Sequence, residues 1–305
     1  MNDTPEITAR SWLMILTLGL VWGGTFMFQS LALRTTPPFW VATARIGFAM
    51  VLTFLVWRWR GGRLFTTANT DYPRLIAVSV LSSAIPFMFL SWGQQYVTSA
   101  FAGVSMATVA LFVLPLAHVL VPGERMTLRR SLGFVMGFAG VLILLGPEVF
   151  QSSGDDREVW GRLACFSAAF CYAISSIMIR RLPPIDPFGL TFATLGFGLL
   201  LVLPVATLAH GAPPNPGSQG LMILALLGLV PTAGANLLRI LTIRSAGPVF
   251  MSLTNYLVPL FAVLLGATFL SEPLPNSLIT AMALILCGVG LSQFGALRRL
   301  FAGRT

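Results

Sequence analysis

Ten apolar runs, each long enough to cross a bilayer, leave this chain almost no sequence with which to build anything else. A membrane span needs about 20 mostly apolar residues, because a helix rises about 1.5 Å per residue through about 30 Å of hydrocarbon. Along the 305 residues the runs cover 12–32, 38–57, 75–95, 99–120, 130–147, 160–179, 188–208, 219–241, 247–270 and 277–297. The connections are short, which excludes a soluble domain of any size. Composition agrees, with 56% hydrophobic and 10% charged residues, against about 25% charged in an ordinary soluble domain. The expected fold is an all-α integral membrane protein of ten transmembrane helices. The first run lacks a small-residue cleavage site and a second run follows at once, so it reads as a retained helix. Cys165, Cys171 and Cys287 all fall in apolar runs. They read as small packing residues, with neither a disulfide nor a metal site expected.

The formal charge is +9, from 19 basic and 10 acidic residues, and every basic residue is arginine. Such a balance raises the question of nucleic acid. Placement answers it. With the N-terminus in the cytoplasm, inside segments carry fifteen arginines, spread from Arg10 through Arg58, Arg129 and Arg180 to Arg304. Outside segments carry Arg34, Arg157 and Arg162, and only Arg45 lies well inside a span. The bias follows the positive-inside rule. The expected location is the cell inner (cytoplasmic) membrane, multi-pass, with both termini cytoplasmic. No nucleic-acid partner is expected.

The chain also repeats itself. Residues 38–56 read PFWVATARIGFAMVLTFLV and residues 187–205 read PFGLTFATLGFGLLLVLPV. Pro38, Phe39, Ala44, Gly47, Phe48, Leu52 and Val56 recur without a gap as Pro187, Phe188, Ala193, Gly196, Phe197, Leu201 and Val205. Gly103 and Pro115 keep the spacing of Gly247 and Pro259, and Glu124, Gly140 and Val141 that of Glu272, Gly288 and Val289. Pro115 stands nearer to Glu124 than Pro259 does to Glu272, which predicts a fourth span about one turn shorter than the ninth. The repeats divide the chain at 1–150 and 151–305. Five spans per repeat turn the second copy upside down. The loop after Glu124 reads RMTLRR and that after Glu272 reads PLPNSL, so the copy on the other side has lost its arginines. Two inverted five-helix repeats are a recurring plan of secondary transporters, with the site near the midplane.

This pattern resembles the drug/metabolite transporter superfamily, in its two-copy EamA-type branch, over nearly the whole chain. The carriers are the Trp22-Gly23-Gly24-Thr25 opening, the late Pro–Glu spacing in each half, and the Gly140-Val141 and Gly288-Val289 pairs. In the second half the opening has become Tyr172-Ala173-Ile174-Ser175. The resemblance implies export of amino acids and related metabolites. Within the branch the chain is similar to the YddG type of aromatic amino-acid exporter.

Matched helix interruptions are the best sequence pointer to a transporter site. Prolines inside spans occur in pairs, Pro86 with Pro231 and Pro115 with Pro259. Each removes a donor and frees the carbonyl four residues earlier, on Ser82, Leu227, Leu111 and Asn255. Simple kinking and a kink beside a cavity both fit. Polar side chains gather near these points: Asn236 after Pro231, then Ser252, Thr254, Asn255 and Tyr256 before Pro259, with Ser105 and Thr108 in the fourth span. An Asn in hydrocarbon needs a partner, either another helix or the cavity. Trp22 and Tyr172 are repeat mates near mid-span, and Trp92, Tyr96 and Met106 are further candidate walls. Trp92 and Tyr96 also fit an interfacial belt, as do Trp12, Trp40, Trp57, Trp59 and Trp160. Arg45 either snorkels or pairs within the protein, or meets a substrate carboxylate. Arg239 reads as an interfacial anchor and His118 as a core histidine.

Absences narrow the function. No Asp or Glu lies in the middle of a span, whereas proton-coupled pumps usually embed a carboxylate or histidine relay. Facilitated export by alternating access is the resulting expectation. A cationic-drug exporter would hold a buried acid and a nucleotide-sugar carrier a basic cavity. A zwitterionic amino acid fits the mixture of neutral polar groups, aromatics and one arginine better. An intramembrane enzyme would need a nucleophile, paired acids or metal ligands at depth, so none is expected. The expected partners are a small-molecule amino acid and the lipid bilayer, with a monomeric chain and no cofactor.

Overall fold

The computed structural model describes residues 8–121, 126–145 and 157–302. Among these, nine helices are long and apolar enough to cross a membrane, and a shorter apolar helix, Thr254–Leu270, joins them. We number them α1 (Ala9–Leu33), α2 (Pro38–Trp59), α3 (Tyr72–Gly93), α4 (Ser99–Leu120), α5 (Leu128–Leu145), α6 (Arg157–Ile179) and α7 (Pro187–His210). Next come α8, from Gly217 to Ala246, α9, with a short turn Pro248–Met251 before Thr254–Leu270, and α10 (Asn276–Ala302). The chain is an all-helical integral membrane protein. Extended pairing among the described residues is a single bridge, Phe65 to Ile185.

Local chemistry sets the helix starts. Pro38 and Pro187, repeat mates in sequence, both open their helices at the first turn, where a missing N–H costs nothing. Asp71 caps α3 through the Arg74 amide at 3.0 Å, and Asp186 caps α7 through the Gly189 amide at 2.8 Å.

Interruptions fall differently from the prolines. In α3 and α8 the helix widens into π-turns, Val80–Ala84 and Gly228–Gly234. Pro86 follows the first, near the start of its next segment, and Pro231 lies inside the second. In α4 and α9, by contrast, the helix runs on through Pro115 and Pro259. Their breaks come about two turns earlier, at Ala107 and at 252–253. The expectation of breaks at Pro115 and Pro259 is therefore corrected. A threonine hydroxyl marks both positions. Thr108 donates to the Ser105 carbonyl at 2.6 Å and Thr254 to the Met251 carbonyl at 2.8 Å, each from the first residue of the resumed helix. Such side-chain bonds compete with the helical ladder. The fourth span, Ser99–Leu120, and the ninth, 248–270, are nearly equal in length. The fourth does stop sooner after its proline, but it starts earlier before it, so the expected difference of one turn disappears.

Contacts group the chain into two compact units, one of Met1–Met27, Thr98–Val159 and Leu238–Thr305, the other of Phe28–Val97 and Trp160–Leu237. Each unit draws helices from both sequence repeats. In the first, α5 packs on α10 through a seam of small residues. A Cβ on Gly288 would lie 2.5 Å from the Gly133 carbonyl oxygen and the Gly137 amide, and one on Gly140 would lie 2.9 Å from the Ala281 carbonyl oxygen. Gly23 of the Trp-Gly-Gly-Thr opening sits against Phe261 and the Val258 carbonyl of α9. Small residues let membrane helices approach to backbone contact, which accounts for glycine at these sites.

Glu272, just beyond α9, holds the start of α4. Its carboxylate accepts from the Ser99 amide at 2.8 Å, the Ser99 hydroxyl at 3.0 Å and the Ala100 amide at 3.0 Å. Thr98 caps the Phe101 amide at 3.1 Å. The sequence mate Glu124, like Glu148, lies outside the described residues.

In the second unit α2 packs along α7, with Ala42, Ile46 and Ala49 meeting Leu195, Val202, Phe87 and Ala233 in one core. The loops before α3 and α7 join through Thr66 to the Pro184 carbonyl and Asp186 to the Leu64 carbonyl. Arg74 pairs with Asp71 at 2.9 Å and donates to the Arg181 carbonyl at 2.8 Å.

Candidate functional site

Arg45, the one arginine that topology leaves unexplained, sits at the centre of a polar network in the second unit. It faces inward at 6% exposure, so it does not snorkel. Its Nε donates to Thr232 Oγ1 at 2.7 Å and its Nη1 to Gln29 Oε1 at 3.1 Å. Phe87 of α3 covers one face of the guanidinium, 4.1 Å from Cζ to the ring centre. Gln29 in turn donates from Nε2 to Gln94 Oε1 at 2.6 Å, and Gln94 Nε2 donates to Ser30 Oγ at 3.2 Å. Tyr172 of α6 packs on the same core and lies within electrostatic reach of Arg45. Helices α1, α2, α3, α6 and α8 thus converge around one cation. Among the described residues no carboxylate pairs with it.

Thr232 explains how the α8 interruption enters the network. Pro231 frees the Leu227 carbonyl, and Thr232 Oγ1 donates to that oxygen at 2.8 Å while accepting from Arg45. The π-turn also pairs the Leu227 carbonyl with the Thr232 amide, so the group that depends on this hydroxyl alone is Arg45 Nε. Thr232→Val keeps the shape and removes that acceptor. Leaving a buried charged donor unmet costs roughly 1–3 kcal/mol. A clear fall in the thermal unfolding midpoint in detergent is expected, and an unchanged midpoint would discard this role for the hydroxyl.

The other sequence candidates scatter. Ser82 is half-buried in the α3 π-turn, whereas its neighbour Ser83 donates to the carbonyls of Ser79 and Thr194, both at 2.7 Å. Trp92 and Tyr96 meet edge to face with ring centres 5.1 Å apart. Asn236 donates to the Thr232 carbonyl of its own helix at 2.5 Å, so this donor goes neither to another helix nor to a cavity. Trp22, Met106, Thr108, Ser252, Asn255 and Tyr256 belong to the first unit. Thr108 is spent on its own backbone, and Met106 ends the helical segment before the α4 break. Ser252 and Gln293 Oε1 are 3.3 Å apart. Tyr256 points its hydroxyl, which has no hydrogen-bond partner among the described residues, at α10 near Gly290. Asn255 faces outward beside the α9 break, and its side chain has no hydrogen-bond partner among the described residues.

Two further expectations change. Trp40 is 7% exposed and belongs to the core, not to an interfacial belt. Pro38, at the start of α2, is buried with it. His118 faces outward in the last turn of α4 instead of lying in the core. Trp12, Trp59 and Trp160 are exposed, while Trp57 stacks on Phe192 at 4.9 Å and donates to the Arg63 carbonyl. Sequence reasoning missed Gln29, Gln94, Thr232 and Gln293. Each is a polar side chain at or near span depth, where a glutamine is as much in need of a partner as an asparagine.

The EamA-like transporter family model matches the chain twice, over residues 10–146 and 159–293. The uncharacterised transporter YoaV of Bacillus subtilis is 23% identical over 288 residues, covering 93% of this chain and 97% of YoaV. The uncharacterised inner membrane transporter YedA of Escherichia coli is 23% identical, covering 92% of this chain and 90% of YedA. A solved crystal structure with 19% identity aligns with a TM-score of 0.64 over 96% of this chain and 99% of its own, a likeness of fold.

Proposed function

Because the chain belongs to the EamA-like transporter family, we propose that it exports amino acids, aromatic and neutral ones foremost, and related small metabolites. Transport is facilitated, by alternating access between two inverted repeats. The protein resides in the cytoplasmic membrane with both termini inside, as the distribution of its arginines supports. The observation that carries the reading is Asn255. An amide facing outward beside a break one turn into the ninth span, with no partner among the described residues, would be costly against lipid. It is satisfied where water and cargo pass. A zwitterion offers such an amide both a donor and an acceptor, which a quaternary ammonium drug does not.

Counterflow in proteoliposomes tests this across amino acids, quaternary ammonium compounds and nucleotide sugars. Saturable exchange is expected for aromatic and neutral amino acids. Asn255→Ala, folded and reconstituted to the same level, is expected to lower that flux about tenfold, the equivalent of about 1.4 kcal/mol. Exchange confined to quaternary ammonium compounds or nucleotide sugars would overturn the substrate class. Unchanged flux in the variant would remove Asn255 from the path.

A further inference from the structure

We propose that Arg45 is the anchor for a carboxylate of the cargo, in an anion site built by α1, α2, α3 and α8. The inference rests on the amino-acid reading for its choice of cargo, but on separate residues for its geometry.

A guanidinium has five N–H groups and no acceptor. The network takes two of them, Nε to Thr232 and one N–H of Nη1 to Gln29. Both N–H groups of Nη2 and the second one of Nη1 have no acceptor among the described residues. Phe87 covers a face of the group, not its edge. Among the described residues the fully enclosed side-chain atoms lacking a partner are Trp40 Nε1, Ser91 Oγ and Tyr256 Oη. Nη2 is not one of them, so the small surface that Arg45 keeps, 6%, includes this edge of the guanidinium.

Charge points the same way. A cation at membrane depth is ordinarily paired or drawn to the interface, and Arg45 is neither. Its two bonded acceptors are a neutral amide and a hydroxyl, so among the described residues the positive charge stands without a counter-ion. The network also holds the group still. Gln29 cannot turn its oxygen away from Arg45 without losing its own bond to Gln94, and Thr232 is pinned to the Leu227 carbonyl. A planar cation held in place with a free edge matches a carboxylate better than a spherical ion, because guanidinium donors spread in a fixed fork. The sequence mate of Arg45 is Thr194, whose hydroxyl is spent on the Thr191 carbonyl. The site is therefore single, as one carboxylate per cargo molecule requires.

The test uses purified full-length protein and three probes, phenylalanine, phenylalaninamide and phenylpyruvate. Binding is read from the ligand concentration that raises the unfolding midpoint. Phenylalanine is expected to act at a concentration at least tenfold below that of phenylalaninamide, which lacks the anionic group. Arg45→Gln is expected to abolish that difference, with Arg45→Lys restoring part of it. Should the variants not fold, the wild-type ratio alone decides. Equal action of phenylalanine and its amide on the wild type, or a ratio that survives in Arg45→Gln, overturns the anchor and leaves amino-acid transport standing. Arg45-dependent binding of phenylpyruvate without any response to phenylalanine upholds the anchor and overturns the amino-acid reading. Binding of no carboxylate at all overturns the anchor.

Discussion

Gly288→Leu is expected to abolish the folded protein, seen as loss of the monodisperse peak in size-exclusion chromatography from detergent. The reason is the depth of the α5–α10 contact. Even the first carbon of a side chain at 288 would fall 2.5 Å from the Gly133 oxygen and the Gly137 amide and 2.7 Å from the Gly137 Cα. All three are backbone atoms on the facing helix, so no rotamer change makes room. The helices must separate, and Gly140 against Ile285 separates with them. Overpacking a close contact costs about 1–3 kcal/mol where neighbours can yield. Here they cannot, and a loss of roughly 4 kcal/mol or more consumes much of a typical stability. Gly47→Ala is the matching control, since nothing lies within 4 Å of the added carbon. That change removes a flexible residue from a helix interior and is expected to be neutral or stabilising by up to about 1 kcal/mol. A monodisperse Gly288→Leu protein melting with the wild type would show that the seam is not close-packed in the membrane-extracted state.

The same seam explains why the repeat was readable. Gly140 and Gly288 hold the same place in their repeats, and both face the α5–α10 contact. A position where only hydrogen fits leaves a mark in sequence without any structure at hand. Hydropathy likewise marks spans, because bilayer thickness fixes their length. Arg45 was legible for a comparable reason, being a charge where charge is costly. Its partners were not. Gln29 and Thr232 come from two other helices and Gln94 from just beyond the end of a third, and only packing brings them together. Asn236 gave a misleading signal because an Asn can satisfy a helix carbonyl one turn back. Proline misled in the same way at 115 and 259. A missing N–H need not break a helix, and α4 and α9 run on through both prolines.

Glu272→Ala is expected to lower stability by about 3 kcal/mol, the largest loss from any single charge in the described structure. Three donors at the start of α4 converge on this one carboxylate. The first turn of a helix leaves amides unmet and carries partial positive charge, so an anion there gains from both effects. Charge-assisted bonds are each worth about 1.5–3 kcal/mol before solvent competition. Glu272 is half-buried, which sets the net value below their sum. The fold is arranged around the contact. Ser271 ends α9 in the left-handed region at φ 54°, which turns Glu272 back toward the bundle. Gly266 leaves the room the carboxylate occupies, since a Cβ there would collide with Glu272 and come within 2.8 Å of Ser99 Oγ. A graded series follows. Ser99→Ala removes one bond and should cost about 1 kcal/mol. Glu272→Gln keeps a single acceptor oxygen and turns an amide N–H toward donors, so it should fall between Ser99→Ala and Glu272→Ala. Unfolding midpoints in one detergent give the order directly. Equal midpoints for Ser99→Ala and Glu272→Ala would mean that the two backbone amides find other acceptors, and the carboxylate would no longer account for where α4 begins.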